Sequence, residues 1–145
     1  ILPWSLISAY RVTGERKFLE VAEESLEFLG MVTFRDGYYK PVGCKGWYPK
    51  GGVPAEYDEQ TVEACEGVLT YLEAYRATGK KKYLQNAKRC HAWYYGANSK
   101  GISLIDNETG GCYDGLTQNG VNLNMGAESL ISYVISYLSI SDNDI

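Results

Sequence analysis

The chain repeats itself. The stretch Ala9-Tyr10-Arg11-Val12-Thr13-Gly14-Glu15-Arg16-Lys17-Phe18-Leu19 returns as Ala74-Tyr75-Arg76-Ala77-Thr78-Gly79-Lys80-Lys81-Lys82-Tyr83-Leu84, at an offset of 65 residues (75 − 10). The match continues through Ala22 and Ala87, then Phe28 and Trp93. A fixed period calls for one supersecondary unit per copy, each burying its apolar face against its neighbours. Each copy reads as helix, Thr-Gly break, helix. Gly14 and Gly79 suit the position after a helix, where the backbone turns left-handed.

Periodicity supports the helices. Val62, Cys65, Val68, Leu69, Leu72 and Tyr75 form one stripe at 3–4 spacing, with Glu63, Glu66, Thr70 and Glu73 mostly off it. After the break, Tyr83, Leu84, Ala87, Cys90, His91 and Tyr94 form the next; their counterparts are Phe18, Leu19, Ala22, Ser25, Leu26 and Leu29. A third copy begins near Asn124, with Ala127, Leu130, Ile131, Val134 and Leu138 as the stripe expected to face inward. It ends in a polar tail without a second helix. Tyr71, Tyr75, Tyr83, Tyr94, Tyr133 and Tyr137 are expected mainly in packing.

The connections are long. Met31–Arg35, Asp36-Gly37 and Tyr38–Val42 read as a β-hairpin with a tight turn. Residues 43–57 and 96–123 are Gly-rich loops with aromatics, the second carrying a small hairpin at Ile102–Asp106 and Gly111–Asp114. Loops of this length are usually functional or disordered, and the aromatic content argues against disorder.

Several classes are disfavoured. The formal charge is 14 − 18 = −4, with no basic runs, which makes nucleic acid and anionic membranes poor partners. No apolar run approaches the ~20 residues of a membrane span, and no signal peptide is visible. Ile1-Leu2-Pro3-Trp4 enters an apolar stripe at once, so the chain reads as a single domain, 1–145, cut from the C-terminal part of something longer. Cys44, Cys65, Cys90 and Cys112 form no CxxC pair and are expected as reduced thiols in a cytoplasmic protein, although their even number permits disulfides in an exported one. No metal or cofactor is expected, since a zinc site on His91 lacks paired-ligand spacing. His91 aligns with Leu26 and reads as a packing residue.

The pattern AY-x-x-TG-x-x-x-[FY]L-x-x-A resembles the helical hairpins of (α/α) toroids, the fold of six-hairpin glycosidases, sugar 2-epimerases and unsaturated glucuronyl hydrolases. Tyr57-Asp58-Glu59-Gln60, Gly111-Cys112-Tyr113-Asp114-Gly115-Leu116 and Asn122-Leu123-Asn124-Met125-Gly126-Ala127-Glu128-Ser129 are similar to C-terminal regions of bacterial glycosyltransferase-like proteins. The resemblance implies an all-α fold of antiparallel helical hairpins, a partial (α/α) toroid with small β-hairpins in its loops. It also implies a carbohydrate ligand. About five helices are readable where six hairpins need twelve. The remainder of a longer chain, or a second copy at an open edge, is the expected partner. No Gly-rich sugar-nucleotide loop is present, so transferase chemistry would lie elsewhere.

In such a toroid the inner helices start from one rim. Asp58, Asp114 and Glu128 are the candidate catalytic carboxylates: glycoside chemistry needs one carboxyl as acid and another as base or nucleophile. Trp47, Glu59, Gln60, Tyr113, Asn122 and Asn124 are the candidate sugar-binding groups, amides for hydroxyls and aromatic faces for the apolar side of the ring. Structural readings stand beside these. Asp58 and Asn124 suit N-caps, Glu59 suits a helix dipole, and Asp114 before Gly115 suits a turn. Lys45 and Lys50 could meet a phosphate or uronate, or simply be solvated. A hydrolase or lyase and a non-catalytic scaffold remain as alternatives. An epimerase is disfavoured because its usual histidine pair cannot be made from one His.

Overall fold

A computed structural model describes residues 1–142. Among the described residues five helices carry the fold: α1 (Leu2–Thr13), α2 (Arg16–Thr33), α3 (Thr61–Thr78), α4 (Lys81–Ala92) and α5 (Ala127–Ser141). α1 pairs with α2 and α3 with α4, while α3 also packs against α1 and α5.

The two Thr-Gly breaks are physical copies of each other. Gly14 and Gly79 adopt φ 73° and 69°, and their N–H groups donate to the carbonyls of Tyr10 and Tyr75, each at 2.7 Å. Thr13 and Thr78 donate their hydroxyls to the carbonyls of Ala9 and Ala74, and accept at 3.2 Å from the N–H groups of Glu15 and Lys80. The threonine therefore closes the last turn of one helix and holds the first residue of the next.

The hairpins differ in their surroundings. Ala22 and Ala87 are both fully buried, but Trp93 is buried whereas its counterpart Phe28 is exposed and stacks on Tyr48. α3 lies between neighbours and is buried on more faces than its stripe predicts. Ala64, Val68, Tyr71, Leu72 and Ala74 are inside, and so are Thr70 and Glu73, expected at the surface. Glu73 is neutralised there by Arg11 of α1 and by Arg76.

α5 departs furthest from expectation. Its buried residues are Ser129, Ser132, Ser136 and Ile140, while Leu130, Ile131, Val134 and Leu138 point outward. Serines leave room for close approach to α3, and polar partners meet them. Ser129 Oγ donates to Asp114 Oδ1 at 2.6 Å, and Ser136 Oγ lies 2.8 Å from His91 Nδ1. His91 is half-buried among Tyr94, Tyr95 and Tyr137. Tyr71, Tyr83 and Tyr94 are core residues, but Tyr137 is exposed.

Two small sheets complete the fold. The first pairs β1 (Phe34–Arg35) with β2 (Tyr38–Tyr39) around Asp36 and Gly37, both at positive φ as a tight hairpin turn requires. It is shorter than expected, because α2 continues through Thr33. The second sheet has the order β3 (Glu59–Gln60), β4 (Gly115–Thr117), β5 (Gly120–Asn122), all antiparallel. Its β4–β5 hairpin lies just beyond the hairpin expected at Ile102–Asp106 and Gly111–Asp114. That expected hairpin is reduced to one bridge, Ile105 with Cys112, plus backbone bonds from Tyr113 N to Leu104 O and Asp106 N to Gly111 O. Leu104, Cys112 and Leu116 nonetheless belong to the core, so this long loop is a packed part of the domain. No described helix is long and apolar enough to cross a membrane.

Candidate functional site

The three-stranded sheet joins the heads of α3 and α5. Pairing of Glu59 with Leu116 and Gln60 with Gly115 brings the strand leading into α3 against the loop leading into α5. The contact is close enough to require glycine: a Cβ on Gly115 would lie 2.1 Å from the Glu59 carbonyl oxygen, and Gly115 sits at φ 151°.

Glu59 locks the junction. It is wholly buried, and its Oε1 accepts from Lys40 Nζ at 2.8 Å and from Ser99 Oγ, while Oε2 accepts from Trp93 Nε1 at 2.8 Å. Lys40, also buried, donates to the Glu56 carbonyl at 2.6 Å. This is a buried ion pair with its remaining hydrogen-bonding capacity filled, the arrangement that offsets the cost of desolvating two charges. Glu59 therefore does not stand in a first helical turn: it lies in β3, and α3 begins at Thr61. Nor does Asp58 cap α3; the N-cap is Gln60 and makes no side-chain capping bond.

Asp114 plays the corresponding part at α5. Its Oδ1 accepts from Gly126 N at 2.7 Å and from Ser129 Oγ at 2.6 Å, and its own N–H donates to the Asn124 carbonyl at 2.9 Å. A carboxylate on first-turn donors is what a helix N-terminus favours. Asn124 does not cap α5; the N-cap is Gly126. Asn122 Oδ1 accepts from Asn124 N at 3.2 Å and shapes the same approach.

Between these heads lies a cleft of about 350 Å³, lined by Asp58, Glu59, Gln60, Asp114, Asn122 and Glu128 together with Cys44, Thr117 and Ser129. A shallower depression of about 600 Å³ adjoins it, sharing Asp58 and Thr117 and adding Lys45, Glu56, Tyr57, Gln118 and Asn119. Six of the nine candidate residues therefore converge on one cleft. Trp47, Tyr113 and Asn124 do not line it: Trp47 is exposed on its loop, Tyr113 packs against the core, and Asn124 is exposed. Tyr57 does reach the depression, but Lys40 Nζ and Lys100 Nζ sit 4.6 and 4.7 Å from its ring centroid, so it is a fixed wall already engaged with cations.

Asp58 and Glu128 make no side-chain hydrogen bond or ion pair within the described residues, unlike Glu59 and Asp114. They are the carboxylates free to meet a ligand. Thr117 and Ser129 carry no local sequence signal: Thr117 enters through β4, whose pairing no local pattern reveals, and Ser129 through the inward serine face of α5.

A second cavity, about 280 Å³, lies among α1, α2 and α3 and is walled by Pro3, Leu26, Leu29, Pro41 and Val42. Glu63 Oε2 and the Tyr71 hydroxyl line it, buried and without hydrogen-bond partners among the described residues. Burial first, then the neighbouring Glu59 and Glu66 carboxylates, push the Glu63 carboxyl up to about 7.

No family model matches the chain, and no curated protein matches it in sequence.

Proposed function

We propose that this chain is a carbohydrate-binding or carbohydrate-processing domain, an arc of an (α/α) toroid, and the C-terminal part of a bacterial glycosyltransferase-like protein. The observation that carries this reading is the convergence of Asp58, Gln60, Asn122, Thr117 and Glu128 on one polar cleft at the heads of α3 and α5. A cleft of amides, hydroxyls and carboxylates matches a hydroxyl-rich ligand better than an apolar one. The reduced thiols, most of them buried, accord with a cytoplasmic setting.

Division of labour follows from what each carboxylate already touches. Glu59 and Asp114 position the strands and the head of α5. Asp58 and Glu128 face the ligand, binding hydroxyls or, in the glycosidase alternative, acting as the acid and base pair. That alternative requires their carboxyl groups to lie about 5–9.5 Å apart across a bound sugar. A scaffold reading is favoured by one observation, the outward apolar face of α5, and is compatible with a sugar cleft on the same domain.

Titration calorimetry with a panel of neutral and uronic-acid oligosaccharides tests the proposal. Wild type should bind at least one, and Asp58→Asn with Glu128→Gln should weaken it roughly tenfold or more at unchanged circular dichroism. No binding by wild type, or equal binding by the folded double variant, would overturn it.

A further inference from the structure

The two sides of α5 are inverted relative to an ordinary surface helix. At 100° per residue, Ser129, Ser132, Ser136 and Ile140 cluster on one side, and Leu130, Ile131, Val134, Ile135, Tyr137 and Leu138 spread over the opposite one. The outward residues are each between 41 % and 58 % exposed. Between Ala127 and Ser141 the only charged residue is Glu128, in the first turn. The helix thus shows solvent the face that its composition would bury.

We propose that this face is an interface for a second copy of the chain, with two α5 helices packed antiparallel about a twofold axis near Val134. Two observations and a symmetry argument select this occupant. The outward side chains expose on the order of 600 Å² per chain, and covering them in full would reach the lower edge of the ~600–1,000 Å² that each partner buries in a standard interface. The face carries no charge, so a chain of net charge −4 meets its copy where like-charge repulsion is least. An isologous contact also closes on itself. The alternative head-to-tail contact would set α5 against α1 and α2, where Leu2, Phe28 and Leu29 line one small groove beside Glu24 and the other exposed apolar residues, Val12, Val21 and Met31, are interrupted by Arg16, Lys17 and Glu20. An anionic membrane is a poor occupant, because α5 has no Lys or Arg to flank its apolar face.

Sedimentation equilibrium from roughly 1 µM to 1 mM tests the proposal, since a small apolar interface dissociates in the micromolar range. The mass should rise from one chain to two. Leu130→Glu with Leu138→Glu should abolish the rise while leaving the circular dichroism intact. Should that variant fail to fold, Val134→Cys in a Cys44→Ser background provides the second arm. Mild oxidation should give a disulfide-linked dimer, and the same change at Asn107, exposed on a loop away from α5, should not. A monomer throughout the range overturns the proposal, whether its α5 face takes up vesicles, another protein or nothing. A dimer that survives Leu130→Glu with Leu138→Glu overturns it too, because the contact then lies on another face.

Discussion

α3 and α5 open successive copies of one repeat, yet they bury opposite kinds of residue. α3 hides Val68, Tyr71 and Leu72 and even Glu73, whereas α5 hides serines and turns Leu130, Ile131, Val134 and Leu138 outward. Their heads differ in the same way. α3 is entered from a buried ion pair, Lys40 with Glu59, and α5 from Asp114, a half-buried carboxylate bonded to a serine and a backbone amide. What a helix buries is set by how many neighbours surround it. α3 has α1, α4 and α5 around it, whereas α5 is held chiefly by α3 on one side.

The sharpest break in this comparison is at the heads. Glu59→Ala leaves Lys40 and Trp93 Nε1 without their partner in the interior, and should cost ~3–5 kcal/mol in denaturant unfolding. Asp114→Ala, which removes a half-buried acceptor from Gly126 N and Ser129 Oγ, should cost only ~1–2 kcal/mol. Equal losses would mean that the two junctions are not built differently.

Along the helices, Ser136→Leu forces volume into the close contact with α3 and should destabilise by ~1–3 kcal/mol. Leu138→Ser, measured in dilute solution, should stay within ~0.5 kcal/mol of wild type. The reverse order would show that α5 buries its leucines.

Glu63 tests α3 by pH. Below 4.5 the carboxyl is protonated in both states. Between 4.5 and about 7 the folded chain keeps a proton that the unfolded chain has lost, so stability falls as pH rises and levels off above about 7. Glu63→Gln should remove that slope and stabilise at pH 8 by ~1–2 kcal/mol, after discounting for its partial exposure. An unchanged slope would mean that Glu63 is solvated.

A small effect concerns what the copies share. Thr13→Val and Thr78→Val each remove one hydroxyl from equivalent breaks and should cost a similar ~0.5–1 kcal/mol. A large difference in thermal unfolding would show that the breaks are equivalent in geometry only.

Much of this was legible in the sequence, for identifiable reasons. The repeat, the Thr-Gly stops and the helices follow from local backbone chemistry, which needs no knowledge of neighbours. The outward turn of α5 could not be read that way, since a Leu, Ile and Val stripe fits any apolar surface and only the fit of Ser132 and Ser136 against α3 decides which side goes in. The same holds for the cleft. The positions of Asp58 and Asp114 ahead of helices, and of Glu128 in a first turn, single them out in the sequence, but the commitment of Asp114 to Ser129 and of Glu59 to Lys40 depends on pairing between β3 and β4, more than 50 residues apart in the chain. Trp47 fits a sugar site by residue type alone, and its loop carries it away from the cleft.

The most direct test of the sugar reading is a residue-resolved map of backbone amide shifts by NMR as a binding oligosaccharide is added. Shifts concentrated at Gln60, Thr117, Asn122 and Glu128, with Ile131 and Leu138 unmoved, are the predicted result. Shifts centred on Trp47 or on the outward face of α5, with the cleft silent, would contradict it.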